Sequence, residues 1–63
     1  MENTVSVLTE LSDAQALALA QLVKRVGWQE VRSNAVNDDE AYLMKDALAS
    51  LQRSLADCGY APR

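Results

Sequence analysis

Asn37 to Tyr60 reads NDDEAYLMKDALASLQRSLADCGY, and this stretch carries both a helix start and a helix stop. Asn37 is a good N-cap, because its side-chain oxygen can accept from a backbone N–H of the first turn, and Glu40 is placed to return the bond to the cap. Val36 and Ala41 stand at the positions of a hydrophobic staple. Asp38, Asp39 and Glu40 put three carboxylates where the helix dipole is positive. At about 100° per residue, Ala41, Met44, Leu48, Leu51, Leu55 and Cys58 fall in one arc, so the helix has an apolar stripe that requires a partner. Gly59 can adopt the left-handed conformation that ends a helix. Tyr60 would then touch Leu55 as in a Schellman cap, and Pro62 bars any resumption. The expected helix spans about 38–58.

The segment before it repeats this logic. Ser12 and Gln15 form a second capping-box pattern, Leu11 sits at the staple position and Asp13 is in the first turn. A helix over about 12–26 follows, with Ala16, Leu19, Leu22, Val23 and Val26 on one arc and Lys24 and Arg25 in the last turn. Gly27-Trp28 looks like another Schellman stop, packed on Val23. The alanines at 14, 16, 18 and 20 favour helix and leave room for another helix to come close. Leu17 falls outside the stripe, as an isolated exposed leucine or the edge of a partner surface. Between the two long helices, Trp28, Val31, Arg32 and Ala35 recur at helical spacing and predict a short connecting helix over about 28–35. Trp28 is expected to plug the open end of the core, with an interface anchor as the alternative.

Thr4 to Thr9 is rich in β-branched residues and alternates Val5, Val7 and Thr9 against Thr4, Ser6 and Leu8, a strand pattern. Nothing later in the chain resembles a second strand. The segment is therefore either an extended arm or a strand paired with another chain. The fold class expected is mainly α: an N-terminal strand or arm, then a helical hairpin with a short connecting helix, in one small domain over 1–63.

The chain has 63 residues, 49% of them hydrophobic, with two glycines and one proline, which suits a compact domain rather than a disordered tail. Domains below about 70–80 residues usually need a disulfide, a metal or self-association. One cysteine excludes an internal disulfide, and one cysteine with no histidine disfavours a zinc site. Self-association is the staple that remains. No long apolar run and no basic leader are present, which predicts a cytoplasmic protein without a membrane partner. A net charge of −3 and a pI near 4.6 weigh against direct nucleic-acid binding.

The motifs of phosphate loops, dinucleotide folds, CxxC sites and calcium loops are missing. The acidic run at Asp38 to Glu40 is accounted for by helix-start electrostatics, so no catalytic residue, metal ligand or cofactor is assigned and the protein is not expected to be an enzyme. Cys58, near a helix C-terminus, is expected to be a buried, inert thiol. Two stripes flank the buried arc of the long helix. Tyr42, Asp46, Ala49 and Arg53 form one, either solvated or an interface. Leu43, Ala47, Ser50 and Ser54 form the other, whose small residues would let a third segment or a second subunit dock.

The segments LSDAQALALAQLVKRVGW, NAVNDDEAYLMKDALASL and LADCGYAPR resemble a family of short, uncharacterised proteobacterial proteins. That family keeps an L-S-D-A-x-A-x-A-L-A opening, a K-R-V-G-W junction, a D-D-E-A-Y helix start and a G-Y-A-P-R end. The resemblance implies a standalone domain and brings no activity with it. A likeness to ribbon-helix-helix repressors stops at the layout of one strand followed by helices. Those proteins read bases from polar or basic strand residues and hold a phosphate at the second helix start. This strand has no Lys or Arg, and Asp38, Asp39 and Glu40 would repel a phosphate.

The function expected is that of a small acidic protein-interaction module, a phage or mobile-element inhibitor that occupies a basic surface of a larger protein. It is similar to anti-CRISPR inhibitors only in size and charge. Its partner-binding residues would be Glu30, Asp38, Asp39, Glu40, Tyr42 and Asp46, since complementary charge speeds association and displaces nucleic acid. The alternative is a strand-paired homodimeric regulator of ribbon-helix-helix type, reaching DNA through Lys24, Arg25 and Arg32.

Overall fold

The structure is a computed structural model and describes residues 3–61. It is mainly helical: α1 (Asp13–Arg25), α2 (Trp28–Ser33) and α3 (Asp38–Asp57) follow in chain order, and both α1 and α2 pack on α3. The expected boundaries hold to within about two residues, the usual uncertainty of a helix end. Among the described residues no helix is long and apolar enough to cross a membrane. Pro62 lies outside the described residues.

The helix starts follow from their caps. At α1 the Gln15 amide donates to Ser12 Oγ at 3.1 Å and the Ser12 amide donates to Gln15 Oε1 at 3.0 Å, a complete capping box. At α3 the Glu40 amide donates to Asn37 Oδ1 at 2.9 Å, but the Glu40 carboxylate accepts from the Val36 amide at 3.0 Å instead of from Asn37. The reciprocal bond has moved one residue back along the chain. Val36 remains 82% exposed, so the staple expected there is not made.

The stop of α3 is as expected. Gly59 has φ 99°, its amide donates to the Ala56 carbonyl at 2.9 Å, and the Tyr60 amide donates to the Leu55 carbonyl at 2.8 Å. These two bonds define a Schellman motif, and Tyr60 packs on the core cluster that contains Leu55. The stop of α1 differs. Val26 and Gly27 are both extended, and Gly27, with φ −100° and ψ 173°, is the N-cap of α2 rather than a left-handed stop. The second helix begins at the very next residue, so a Schellman turn has no room to form.

The core is thin. Ala16, Ala20, Val23, Val31, Ala41 and Leu55 are buried, and Leu19, Leu48 and Tyr60 pack against the Ala20, Val23 and Leu55 cluster. Compared with the arc read from the sequence, burial on α1 has rotated from Leu22, which is 61% exposed, to Ala20, which is 1% exposed. Small side chains allow close helix approach, so α3 sits over the alanines and leaves the bulky leucine on the flank. Cys58 is exposed, not buried; it is the C-cap of α3, where the chain has already left the helical geometry on which the arc was drawn. Trp28 is 42% exposed and does not plug the core. As the first residue of α2, it lies at an outer corner of the hairpin.

Thr4 to Thr9 is not a strand: no strand is found among the described residues. The physical reason is the one the composition implies, since no second strand exists within the chain to share a ladder. The segment has no regular secondary structure, with Val5, Val7 and Leu8 exposed to solvent.

Candidate functional site

The aromatic residues Trp28 and Tyr42 meet at the corner between α2 and α3. Their ring centroids are 5.0 Å apart with planes inclined at 36°, a tilted geometry that suits the quadrupoles of the two rings. Trp28 is fixed as the first residue of α2, and Tyr42 stands one turn into α3. Tyr42 remains more than half exposed. Asp38, Asp39 and Asp46 lie three or four residues from Tyr42 along α3 and so share its helix face.

The elbow that holds this corner is built by Arg32. Its Nε donates to Asp38 Oδ1 at 2.5 Å, and its Nη1 donates to the Ala35 carbonyl at 3.3 Å. One guanidinium therefore ties the end of α2, the turn and the start of α3. Ser33 Oγ and Asn34 Nδ2 both donate to the Glu30 carbonyl, at 3.0 and 2.7 Å, and close the last turn of α2. Beside the aromatic pair runs a groove of about 230 Å³, lined by Val23, Val26, Trp28, Val31 and Leu48 with Lys45 on its wall.

The six residues expected to bind a partner divide into two groups. Glu30, Asp38 and Glu40 have local duties. The Glu30 carboxylate lies against Gly27, where an added Cβ would come within 3.1 Å of its Oε2, Asp38 pairs with Arg32, and Glu40 caps the turn through Val36. Asp39, Tyr42 and Asp46 are exposed, and Asp39 and Asp46 make no hydrogen bond or ion pair among the described residues. The structure thus brings Asp39, Tyr42 and Asp46 onto one face and adds Trp28. Arg32, considered for a DNA-facing surface, is engaged by Asp38 and the Ala35 carbonyl instead.

Sequence reasoning missed the pairing of Trp28 with Tyr42 and the groove beside it. Both depend on the angle at which α2 meets α3, and that angle is set by Arg32 and the turn rather than by any periodic pattern. The signal that could have pointed there is an aromatic residue on each side of the turn, with an arginine six residues before an aspartate at a helix start.

Comparison with characterised proteins and with solved structures finds no match. A family described as "Family of unknown function (DUF7706)" matches residues 1–63. The chain belongs to that family.

Proposed function

We propose that this chain is a protein-interaction module whose docking surface is the Trp28–Tyr42 pair with its carboxylate rim, and that its partner presents a basic segment there. The observation that carries the reading is the exposed aromatic pair at 5.0 Å beside Asp39 and Asp46, two carboxylates engaged by no hydrogen bond or ion pair among the described residues. Aromatic faces attract Arg and Lys through their quadrupole, and neighbouring carboxylates add charge-assisted hydrogen bonds. Tyr and Trp are also the residues that concentrate binding energy at interfaces. The net charge of −3 suits approach to a positive surface. An inhibitor that covers a basic, nucleic-acid-binding face of a larger protein is the role that fits this chemistry.

The test is capture of partners from the native host with the wild-type chain and with Tyr42→Ala and Asp39→Asn/Asp46→Asn variants, followed by calorimetry on the partner identified. Tyr42→Ala should weaken binding about tenfold or more, as truncation of an interface aromatic does. The affinity should also fall steeply as salt is raised from about 50 to 300 mM. A partner bound equally well by all three proteins, or tight binding of the chain itself to duplex DNA, would overturn the reading.

A further inference from the structure

A second surface, away from the aromatic corner, is apolar and uncovered. Val5, Val7 and Leu8 are 84, 82 and 92% exposed, and among the described residues Thr4 to Leu11 make no hydrogen bond. The radius of gyration is 12.7 Å for 63 residues, above the roughly 11 Å of a compact chain of that length. The arm lies off the body.

The body has a matching flank. The Tyr60–Asp13 contact places the end of α3 beside the start of α1, so the two helices run antiparallel. At about 100° per residue, Leu22 lies on the flank of α1 beside Val23, and Leu51 lies on the flank of α3 beside Leu55. In an antiparallel pair of right-handed helices these two flanks open to the same side, the one away from α2. Leu22 and Leu51 are 61 and 38% exposed there. Around them Ala18, Ala47, Ser50 and Ser54 are small and uncharged, which lets another chain approach closely.

We propose that a second copy of this chain covers that surface, in a two-fold dimer in which the arm of each copy lies with Val5 and Val7 along the Leu22–Leu51 flank of the other. The lengths agree. Seven extended residues from Val5 to Ser12 span about 23 Å, and the 13 residues of α1 rise about 20 Å. The area agrees as well. With on the order of 100 Å² of apolar surface per fully exposed Val or Leu side chain, Val5 and Val7 on one side of the arm, with Leu11, Leu22, Leu51 and the Leu43 that precedes Ala47 by one turn, present roughly 370 Å². At the apolar share of homodimer interfaces, about 65%, this corresponds to roughly 1,100 Å² buried between two copies, close to the lower bound for a specific interface. Reciprocal exchange covers arm and flank together and closes the assembly after two chains. Such a dimer also supplies the stabilisation that a core of six buried residues, half of them alanine, leaves wanting. The charged aromatic corner stays free on the opposite side.

The experiment is sedimentation equilibrium of the full chain from micromolar to near-millimolar concentration, with melting followed over the same range. The expected mass is twice 6.9 kDa, with a melting temperature that rises with concentration because only the associated state is stabilised by mass action. Val5→Asp/Val7→Asp, at two positions that are more than 80% exposed in one chain, should weaken association tenfold or more, and Leu22→Glu should do the same from the other side of the contact. Tyr42→Ala should leave the mass unchanged, which separates this proposal from the reading of the aromatic corner. A single-chain mass with a concentration-independent melting temperature overturns the proposal. So does a dimer indifferent to both the arm and Leu22 variants, or assembly that grows without closing at two chains.

Discussion

The Tyr60 hydroxyl donates to the Asp13 carboxylate at 2.5 Å, joining residues 47 positions apart. Tyr60 follows the glycine that ends α3, and Asp13 is the first residue of α1. The bond closes the hairpin at the end opposite the Arg32 elbow. Holding the phenol against a carboxylate raises the Tyr60 pKa above its ordinary 10.0, chiefly through this hydrogen bond, then through burial, then through the negative charges of Asp13 and Cys58. Because the folded value is the higher one, the contribution is fully present below the unfolded pKa and is lost as pH rises through the folded pKa. Tyr60→Phe should therefore be less stable than wild type at neutral pH, with the two converging in the alkaline range. Urea midpoints measured from about pH 8 to 11 test this. Parallel curves for the two proteins would assign any alkaline loss of stability to other groups.

The two glycines should respond differently to alanine. Gly59 holds φ 99°, where a Cβ strains the backbone, so Gly59→Ala should cost about 1–2 kcal/mol and fray the last turn of α3. Gly27 has an ordinary φ of −100°, and a Cβ there meets only the end of the flexible Glu30 side chain. Gly27→Ala should change stability by less than about 0.5 kcal/mol, since reduced freedom of the unfolded chain offsets the poorer cap. Equal losses at the two sites, read by urea denaturation, would contradict the assignment of the left-handed stop to Gly59 alone.

These glycines also show where sequence reading succeeds and where it stops. Ser12, Gln15, Asn37 and Gly59 act through bonds within a few residues, so their roles can be read from spacing, and the three helices follow from them. Gly27 has the same local pattern as Gly59, yet its conformation is decided by the onset of α2 at the next residue. The orientations of Trp28 and Leu22 depend on how closely and at what angle α3 crosses its neighbours. Periodicity gives the face of a helix to within a residue or so and cannot choose between Ala20 and Leu22 as the point of closest approach. Of the expected binding residues, Tyr42, Asp39 and Asp46 could be placed on one exposed face from their spacing. That Glu30, Asp38 and Glu40 would be drawn into local bonds could not, because Arg32 and Val36 reach them only once the turn has formed.

Ala20 and Ala41 are 1 and 0% exposed, and a larger side chain at either has nowhere to go without separating the helices. Ala20→Leu should destabilise by about 1–3 kcal/mol through overpacking. Ala14→Leu, at an exposed position of the same helix away from the Leu22 flank, should stay within about 0.5 kcal/mol. Chemical denaturation of the two variants side by side is the measurement. A neutral Ala20→Leu would mean that α1 and α3 do not meet over the alanines.

The aromatic corner offers a quantitative check that does not need a binding partner. Trp28 keeps 42% of its surface in water, so Trp28→Ala should cost less than the roughly 3–5 kcal/mol typical of a fully buried tryptophan. Part of that loss belongs to Tyr42 alone. A double-mutant cycle over Trp28→Ala and Tyr42→Ala should give a coupling of about 0.5–1.5 kcal/mol, the range for aromatic pairs in contact. A coupling indistinguishable from zero, with Trp28 fluorescence unchanged by Tyr42→Ala, would separate the rings in solution. The docking surface would then lose the preorganised pair on which its affinity for a cation depends, because two independently mobile rings must be ordered at the moment of binding.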